Sequence, residues 1–492
     1  MIDHDALIVG AGPTGLMLAG ELALAGIDIA VIERRTHHDL AGSRAGGMTS
    51  RTLEILDQRG IVDRFLTQGW TGQIGHYAGI PLPIGDLPAR HNYGLGLPQY
   101  RIERALAGWA RELGANLRLG CEVTGFTQDD GGVDVALSDG ATLRTQYLIG
   151  CDGGRSLIRK NAGIDFPGWD PSTSCLLADV EMGEDPPWGM HRAGGFHSFF
   201  KLEDDGPVRV MVAEPDVGKI GEPTLNDVRE ALITIRGTDY GIRSATWISR
   251  FTDVTRQASS YRDRRVLLAG DAAHVHFPIG GQGLNTGMQD AMNLGWKLAH
   301  VINGTSPEML LDTYHTERHP VAANVLHNTM AQTALNGSGA RIDALRDAVS
   351  ELIALDGPRR RIAAMMCGLD IHYDLGHGHP QLGRRMPDID VHTAAGPTRV
   401  CTLLHHGQAV LLNLRTPWSF DASPWAHTLS VIHAEYAGGW ELPIIGNVTT
   451  PHAVLIRPDG YVAWVGNGTQ TGLTTALTSW LGPPRPTSPA NR

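Results

Sequence analysis

An apolar strand, a glycine-spaced turn, a helix of small residues and a second strand ending on an acid fill residues 6–33. No other stretch restricts the fold of this chain as strongly. The turn reads Gly10-x-Gly12-Pro13-Thr14-Gly15. Gly10 suits the tight turn, Gly12 lets the backbone approach a pyrophosphate, and Gly15 lets the helix pack close to the strand. The helix N-terminus then offers positive charge to the phosphates. Glu33 follows Gly15 by 18 residues and is succeeded by Arg34; there a carboxylate can accept hydrogen bonds from a ribose. The pattern predicts a dinucleotide-binding βαβ unit. It suits FAD and NAD alike, so the rest of the chain must choose between them.

With 492 residues, 42% hydrophobic and 19% charged, the chain is expected to form about two to four globular domains at roughly 150 residues each. A net charge of −11 argues against a nucleic-acid partner, because phosphate backbones reward basic surfaces. The five cysteines (Cys121, Cys151, Cys175, Cys367, Cys401) never stand in Cys-x-x-Cys spacing, which suits a reducing cytoplasm rather than a zinc or dithiol site. Asp3 and Asp5 stand where a secretory signal would be basic, and no apolar run is long enough to span a bilayer. A cytoplasmic protein without a membrane partner is expected.

Helix-like periodicity continues over residues 49–59 and 101–113, and strand-like runs over 122–127, 133–137 and 146–149. From residue 169 to 262 the texture becomes alternating, at 175–182, 196–202, 208–212 and 245–251, as in an antiparallel sheet with one buried face. The α/β texture returns after residues 266–269, with a helix over 285–301 and more helices to about 367. Residues 376–387, rich in Gly, Pro and His, read as a linker. The last hundred residues form a small α/β unit with strands at 409–414, 428–432, 453–456 and 461–465, a turn at Asp459-Gly460 and a helix over 473–481.

Two further stretches carry chemistry. Gly150-Cys151-Asp152-Gly153-Gly154-Arg155-Ser156-Leu157-Ile158-Arg159 follows a strand and puts an acid, two glycines and a basic helix start where a ligand phosphate could be met. Taken alone, this stretch is better read as an ordinary β-to-α turn with a serine cap. In the other stretch, a strand ends on Gly270-Asp271 and leads through Pro278-Ile-Gly280-Gly281-Gln282-Gly283 into a helix opening near Leu284-Asn285. Asp271 can accept from sugar-like hydroxyls, as a buried-type acid. The glycines let backbone N–H groups approach a flat ring, and the helix start would stabilise an anionic reduced flavin.

In this order and spacing, the three stretches resemble the class A FAD-dependent aromatic hydroxylases, the para-hydroxybenzoate hydroxylase superfamily, over nearly the whole chain. The resemblance implies an α/β fold: a Rossmann-like FAD-binding domain (residues 1–168 and 263–385), an inserted, mainly antiparallel substrate domain (169–262) and a thioredoxin-like C-terminal domain (386–492). It implies that the first motif binds the ADP part of FAD. Asp152, Gly153 and Arg159 would lie near FAD and the nicotinamide nucleotide. Gly270 and Asp271 would hold the ribityl chain, and the loop from Pro278 to Asn285 would face the isoalloxazine. Arg44, in Ser43-Arg44-Ala45, would contact the pyrophosphate, and Gln99, preceding Glu103 and Leu106, the flavin. Met17-Leu-Ala-Gly-Glu-Leu, Cys151-Asp-Gly-Gly-Arg-Ser, Gly368-Leu-Asp-Ile-His-Tyr-Asp and Arg457-Pro-Asp-Gly-Tyr-Val-Ala-Trp464 are similar to the branch that tailors aromatic polyketides. The implied reaction consumes NADPH or NADH and O₂ and hydroxylates a polycyclic aromatic phenol through a flavin C4a-hydroperoxide. No side chain is singled out as an obligatory base.

Other readings remain. The same fold can serve a Baeyer–Villiger or antibiotic-inactivating (rifampicin-type) monooxygenase, or a flavin-binding scaffold without turnover. His274-x-His276 and the group Cys367, His372, His377 and His379 lack regular ligand spacing, so no metal is expected. Phe196, Phe199, Phe200 and Trp247 either form core or line a substrate site. Arg192 and Arg209 are the basic residues of that region able to meet a carboxylate. A monomer or homodimer is expected.

Overall fold

The computed structural model describes residues 1–37, 42, 45–201, 205–219, 221–415 and 420–485. Its principal sheet has five parallel strands side by side: Val266–Leu268, Thr142–Gly150, His4–Val9, Ile29–Glu33 and Asn116–Leu119. From the central strand His4–Val9 the chain builds outward first to one side and then, after residue 142, to the other. This reversal is the topological switch at which open α/β sheets bind ligands, beyond the carboxyl ends of the strands. An antiparallel ribbon, Val123–Gln128 and Val133–Leu137, extends Thr142–Gly150 sideways. The helix Pro13–Leu24 lies on the sheet with Leu16, Met17, Leu18 and Leu22 fully buried, each contributing about 1.5–3 kcal/mol of apolar burial. It crosses the helix Gln282–Ile302 closely at glycines of that helix: an added Cβ at Gly287 would strike Thr14, and one at Gly295 would lie 2.6 Å from the Glu21 Cβ.

The second sheet is antiparallel, in the order Gly189–His191, His197–Lys201, Val208–Glu214, Ser174–Glu181, Ser244–Thr252. One face (Leu176, Ala178, Val210, Phe199) packs on a helix, Leu225–Arg236, that the alternating pattern did not announce. Thr224 and Asp227 form a reciprocal capping box at its start and Gly237 ends it at φ +76°. The other face, carrying Cys175, Leu177 and Phe251, packs on Phe277 and Ile279 beside the glycine loop.

A third sheet holds Gly396–Arg399, Asp390–Thr393, Leu429–Glu435, Ala409–Asn413, Ala453–Ile456 and Val462–Gly466, with the helix Leu473–Leu481 against it. Of the stretch 376–387, expected as a linker, residues 376–378 are exposed, whereas residues 381–386 form a packed strap. Gln381 and Arg385 are buried, and Arg385 Nη1 donates to Glu54 Oε1 at 2.8 Å while Nη2 donates to the Pro88 carbonyl. The reason is a charge pair between residues 331 positions apart. Among the described residues, no helix is long and apolar enough to cross a membrane.

Candidate active site

The parallel registers Val9↔Gly150 and Gly150↔Leu268 bring all three motif loops to one edge of the principal sheet. In the first loop an added Cβ at Gly10 (φ +103°) or Gly15 would collide with the backbone of Cys151 or Gly10, whereas one at Gly12 meets nothing within 4 Å. The side at Gly12 therefore opens onto free space beyond the helix N-terminus. Pro13 and Thr14 form the first helical turn, and Thr14 packs against Gly270 of the third loop.

Glu33 accepts from the Ala11 N–H at 2.8 Å and from the Arg35 N–H and Nε at 2.9 and 3.1 Å. Burial raises its pKa, but Arg35 and the two N–H donors outweigh this and hold the carboxyl below its usual range. Arg35 Nη1 also donates to Glu103, which in turn accepts from Gln99 Nε2 at 2.8 Å; Glu103 is pushed up by burial. Gln99 and Glu33 are thus joined through Arg35, which the motif spacing does not single out. Arg34, expected to contact the cofactor, is exposed beside it. The doubled Arg34-Arg35 was the available signal. Arg44 lies outside the described residues.

In the second loop Asp152 Oδ2 accepts from the Leu157 and Ile158 N–H groups, and Ser156 Oγ accepts from the Arg159 N–H. The turn-and-cap reading accounts for these bonds. It leaves Asp152 Oδ1 buried without a partner and Gly153, at φ +82°, with nothing within 4 Å of its open side. Arg159 donates to the Ala272 and Gly154 carbonyls at 2.8 and 3.0 Å and lies over the Phe166 ring. Burial lowers its pKa, against an upward pull from Asp152. Its observed bonds tie the second loop to the third.

Asp271 is exposed and makes no hydrogen bond to the described residues, which corrects its reading as a buried-type acid. Its neighbours Ala272 and Ala273 point into the core and Gly270 is buried, which leaves Asp271 at the rim. Beneath it, Asp290 accepts from the Gly270 N–H, His274 Nε2 and Arg318 Nε. Burial would raise Asp290, yet Arg318 and His274 hold it low. Pro278 is exposed, and Gly280 and Gly281 adopt φ +74° and +63°. The helix then starts at Gln282, two residues ahead of the expected Leu284. Asn285 accepts from the Thr49 N–H at 2.9 Å and donates to the Gly281 carbonyl at 2.8 Å; Gln282 accepts from Asn328. These bonds fix the loop while an added Cβ at Gly281 meets nothing within 4 Å and one at Gly283 lies 3.5 Å from His276. Leu284 is half-buried against the main core.

Of the four aromatics expected on the second sheet, Phe196 is half-buried just ahead of the strand His197–Lys201, and the other three divide. Phe199 is core, edge-on to Tyr240; Trp247 sits with Ile279 and Phe277 beside the glycine loop. Phe200, opposite Arg209, is exposed. Arg209 is forked onto Asp179 at 2.8 and 2.7 Å, and Arg192 is bound to Asp343 and the Gly337 carbonyl. Among the described residues, one group of metal-ligand type, Asp57, Asp388 and Cys401, has donor atoms within 4.8 Å. Arg399, Arg90 and His91 already pair with its acids.

The features left open are those an FAD would complete: the orphaned Asp152 Oδ1, the free sides at Gly12 and Gly281, and the unpartnered Asp271. Residues 3–329 match the family described as an FAD binding domain, and residues 379–484 match the aromatic-ring hydroxylase C-terminal family. The chain is 42% identical to the 12-dehydrotetracycline 5-monooxygenase/anhydrotetracycline 6-monooxygenase of Streptomyces rimosus, over 98% of this chain and 99% of that one. It is 41% identical to the rifampicin monooxygenase of Streptomyces venezuelae, over 97% and 98%. The solved structure of CabE, an aromatic hydroxylase from angucycline biosynthesis, superposes with a TM-score of 0.90 at 42% identity, over 98% of this chain and 100% of that one. Sequence motifs, fold and relatives agree: the chain belongs to the FAD-dependent aromatic-ring hydroxylases, a family of flavin monooxygenases.

Proposed function

We propose that this monooxygenase hydroxylates a planar, polycyclic phenol of the aromatic polyketide type. The observation that carries the reading is the apolar sheet face turned toward the glycine loop. Cys175, Leu177, Phe251 and Trp247 offer apolar and stacking surface. The two basic residues able to meet a carboxylate, Arg192 and Arg209, are both committed to acids. Neither arginine is left free to pair with a one-ring benzoate. Relatives acting on anhydrotetracycline and in angucycline biosynthesis support the same substrate class.

Bound FAD, reduced by NADPH or NADH, supplies electrophilic oxygen from O₂. The chain's own residues bind, orient and exclude water. Gly10, Gly12 and the Pro13 helix start would receive the pyrophosphate, Glu33 the ribose, and Asp271 the ribityl hydroxyls. The N–H groups around Gly281–Asn285 would face the ring. We read residues 1–168 and 263–385 as the FAD-binding domain, 169–262 as the substrate domain and 386–492 as a thioredoxin-like, redox-silent unit. Its one cysteine, Cys401, is buried and its thiol is raised well above the ordinary value by burial.

Incubation of the protein with NADPH, ¹⁸O₂ and a panel of angucyclinone phenols should yield products heavier by one labelled oxygen. Efficient hydroxylation of para-hydroxybenzoate alone would overturn the substrate class. The 41% identity to a rifampicin monooxygenase supports an antibiotic-inactivating reading as the alternative, which the same assay with an ansamycin distinguishes.

A further inference from the structure

The registers of the second sheet set Trp247, Asp179, Arg209 and Phe200 in one row across four strands. Directly opposed residues share a face, and Trp247 places this row on the face turned toward the glycine loop. An added Cβ at Gly42 would strike the Trp247 ring, so the row also adjoins Gly42. In the neighbouring positions of this face stand Cys175, Leu177, Met211 and Ala213. An ion pair buried among such neighbours loses hydration that an apolar pair of similar volume would not. Holding the strands together does not require it.

The geometry of the pair suggests another use. Arg209 gives Nε and Nη2 to the two carboxylate oxygens of Asp179 at 2.8 and 2.7 Å, which locks the guanidinium plane. Nη1 makes no hydrogen bond to the described residues, and the Arg209 side chain retains 9% exposure. A guanidinium neutralised by its own aspartate attracts no carboxylate but still presents a fixed, charge-assisted N–H. Such a donor beside an indole suits an oxygen on the edge of a flat ring.

We propose that the Asp179–Arg209 pair is a specificity element in which Arg209 Nη1 receives one phenolic or keto oxygen of the polycyclic substrate. Asp179 acts as its positioning residue. This rests on the reading of the protein as a hydroxylase of polycyclic phenols. An N–H held at that oxygen also favours its ionised form, in which the ring is more electron-rich and more readily oxygenated.

The test compares FAD-loaded wild type, the double variant Asp179→Leu/Arg209→Met and the single variant Arg209→Lys. The double change removes both charges together and leaves neither one buried alone. KM and kcat are measured for a tetracyclic angucyclinone phenol and for analogues lacking one ring oxygen at a time, with FAD occupancy and melting temperature recorded for each protein. In wild type, one analogue should show a KM raised about 10- to 100-fold, as expected for loss of a hydrogen bond to a charged donor. In the double variant the parent phenol should show that same rise and the sensitivity to that one oxygen should vanish. A double variant that retains FAD and keeps the wild-type KM and oxygen dependence would overturn the proposal, leaving the pair a fastener of the sheet. Should the double variant lose FAD or melt early, Arg209→Lys decides instead, since unchanged oxygen dependence there refutes the role of Nη1. Failure of wild type to oxygenate any member of the panel overturns the functional reading itself, and that result is read without either variant.

Discussion

Replacing Asp271 by alanine separates cofactor binding from folding, because the cofactor-free protein makes no use of the side chain. The carboxylate is exposed and bonded to no described residue, while the turn around it is held by the Gly270 N–H on Asp290 and the Ala273 N–H on the Gly270 carbonyl. The apoprotein should therefore change by no more than about 0.5 kcal/mol, as for ordinary surface substitutions. FAD binding should lose a charged acceptor for ribityl hydroxyls, worth about 1.5–3 kcal/mol, or roughly a 10- to 150-fold rise in Kd. The assay titrates FAD into apoprotein by quenching of flavin fluorescence, alongside apoprotein and holoprotein melts. At an FAD concentration near 100 times the wild-type Kd, ligand stabilisation is about 2.7 kcal/mol, and it should fall to about 0.4 kcal/mol if Kd rises 100-fold. Asp271→Asn, which keeps one acceptor oxygen, should lie between. A Kd within twofold of wild type refutes the assignment. So does an equal loss of stability in the apoprotein, since that would make Asp271 a residue of the fold rather than of the site.

Gly281→Val should retain FAD yet oxidise NADPH largely without product, because the left-handed φ of +63° costs a β-branched residue about 1–2 kcal/mol and the side chain fills the open side of the loop; normal product yield would place the flavin face elsewhere. Arg457→Ala should lower stability by about 3–5 kcal/mol in urea unfolding, since buried Asp459 would lose its paired cation and Glu317 one of its two, keeping Lys297; a loss under about 1 kcal/mol would refute this. His300, held at a pKa of about 4 by burial with a small contribution from His427, takes up its proton later in the folded than in the unfolded protein. Its contribution is complete above pH 6.5 and falls by up to about 3 kcal/mol as pH drops to 4. His300→Leu should flatten that part of the stability curve, and parallel curves for the two proteins would exclude His300 as the cause.

What the sequence made legible is local. Gly10, Gly12 and Gly15 sit within one turn, and their roles follow from that turn alone, so the βαβ unit and its open edge could be read directly. Glu33 stands at the strand end, as its spacing from the glycines predicts, but the pairing of Arg35 with Glu103 spans 68 positions of the chain and has no local signal. The helix Leu225–Arg236 carried its own signal in Thr224, Asp227 and Gly237, hidden by the alternating segments on either side. The strap at 381–386 could not be read locally, because Arg385 is buried only through Glu54. Period-two alternation puts the adjacent Phe199 and Phe200 on opposite faces of the sheet, but which face lies beside the glycine loop follows only from the contact with Phe277.

The motif Arg457-Pro-Asp-Gly-Tyr gains its meaning only when the chain is folded. Arg457 is fully buried and forks onto Glu317 of the helix Asp312–Leu335, with Asp459 as its second partner and the Trp480 ring 4.5 Å away. Glu317 also holds Lys297 at 2.8 Å, and Asn293 donates to both Glu317 and Asp459. Burial lowers Lys297 to a pKa of about 8. From there the polar contacts run through the Tyr373 hydroxyl to Arg318 and Asp290, and so to the Gly270 N–H beneath Asp271. Charges buried this deeply are tolerated only while every partner is present. The C-terminal hairpin therefore completes the pairing of the helix that opens from the glycine loop, Gln282–Ile302, with the helix Asp312–Leu335, a role that calls on none of the chain's five cysteines. Removing residues 386–492 would not leave a smaller intact flavoprotein. It would leave Glu317 without Arg457, and the disturbance would lie in the same polar network that holds the turn under the proposed ribityl site.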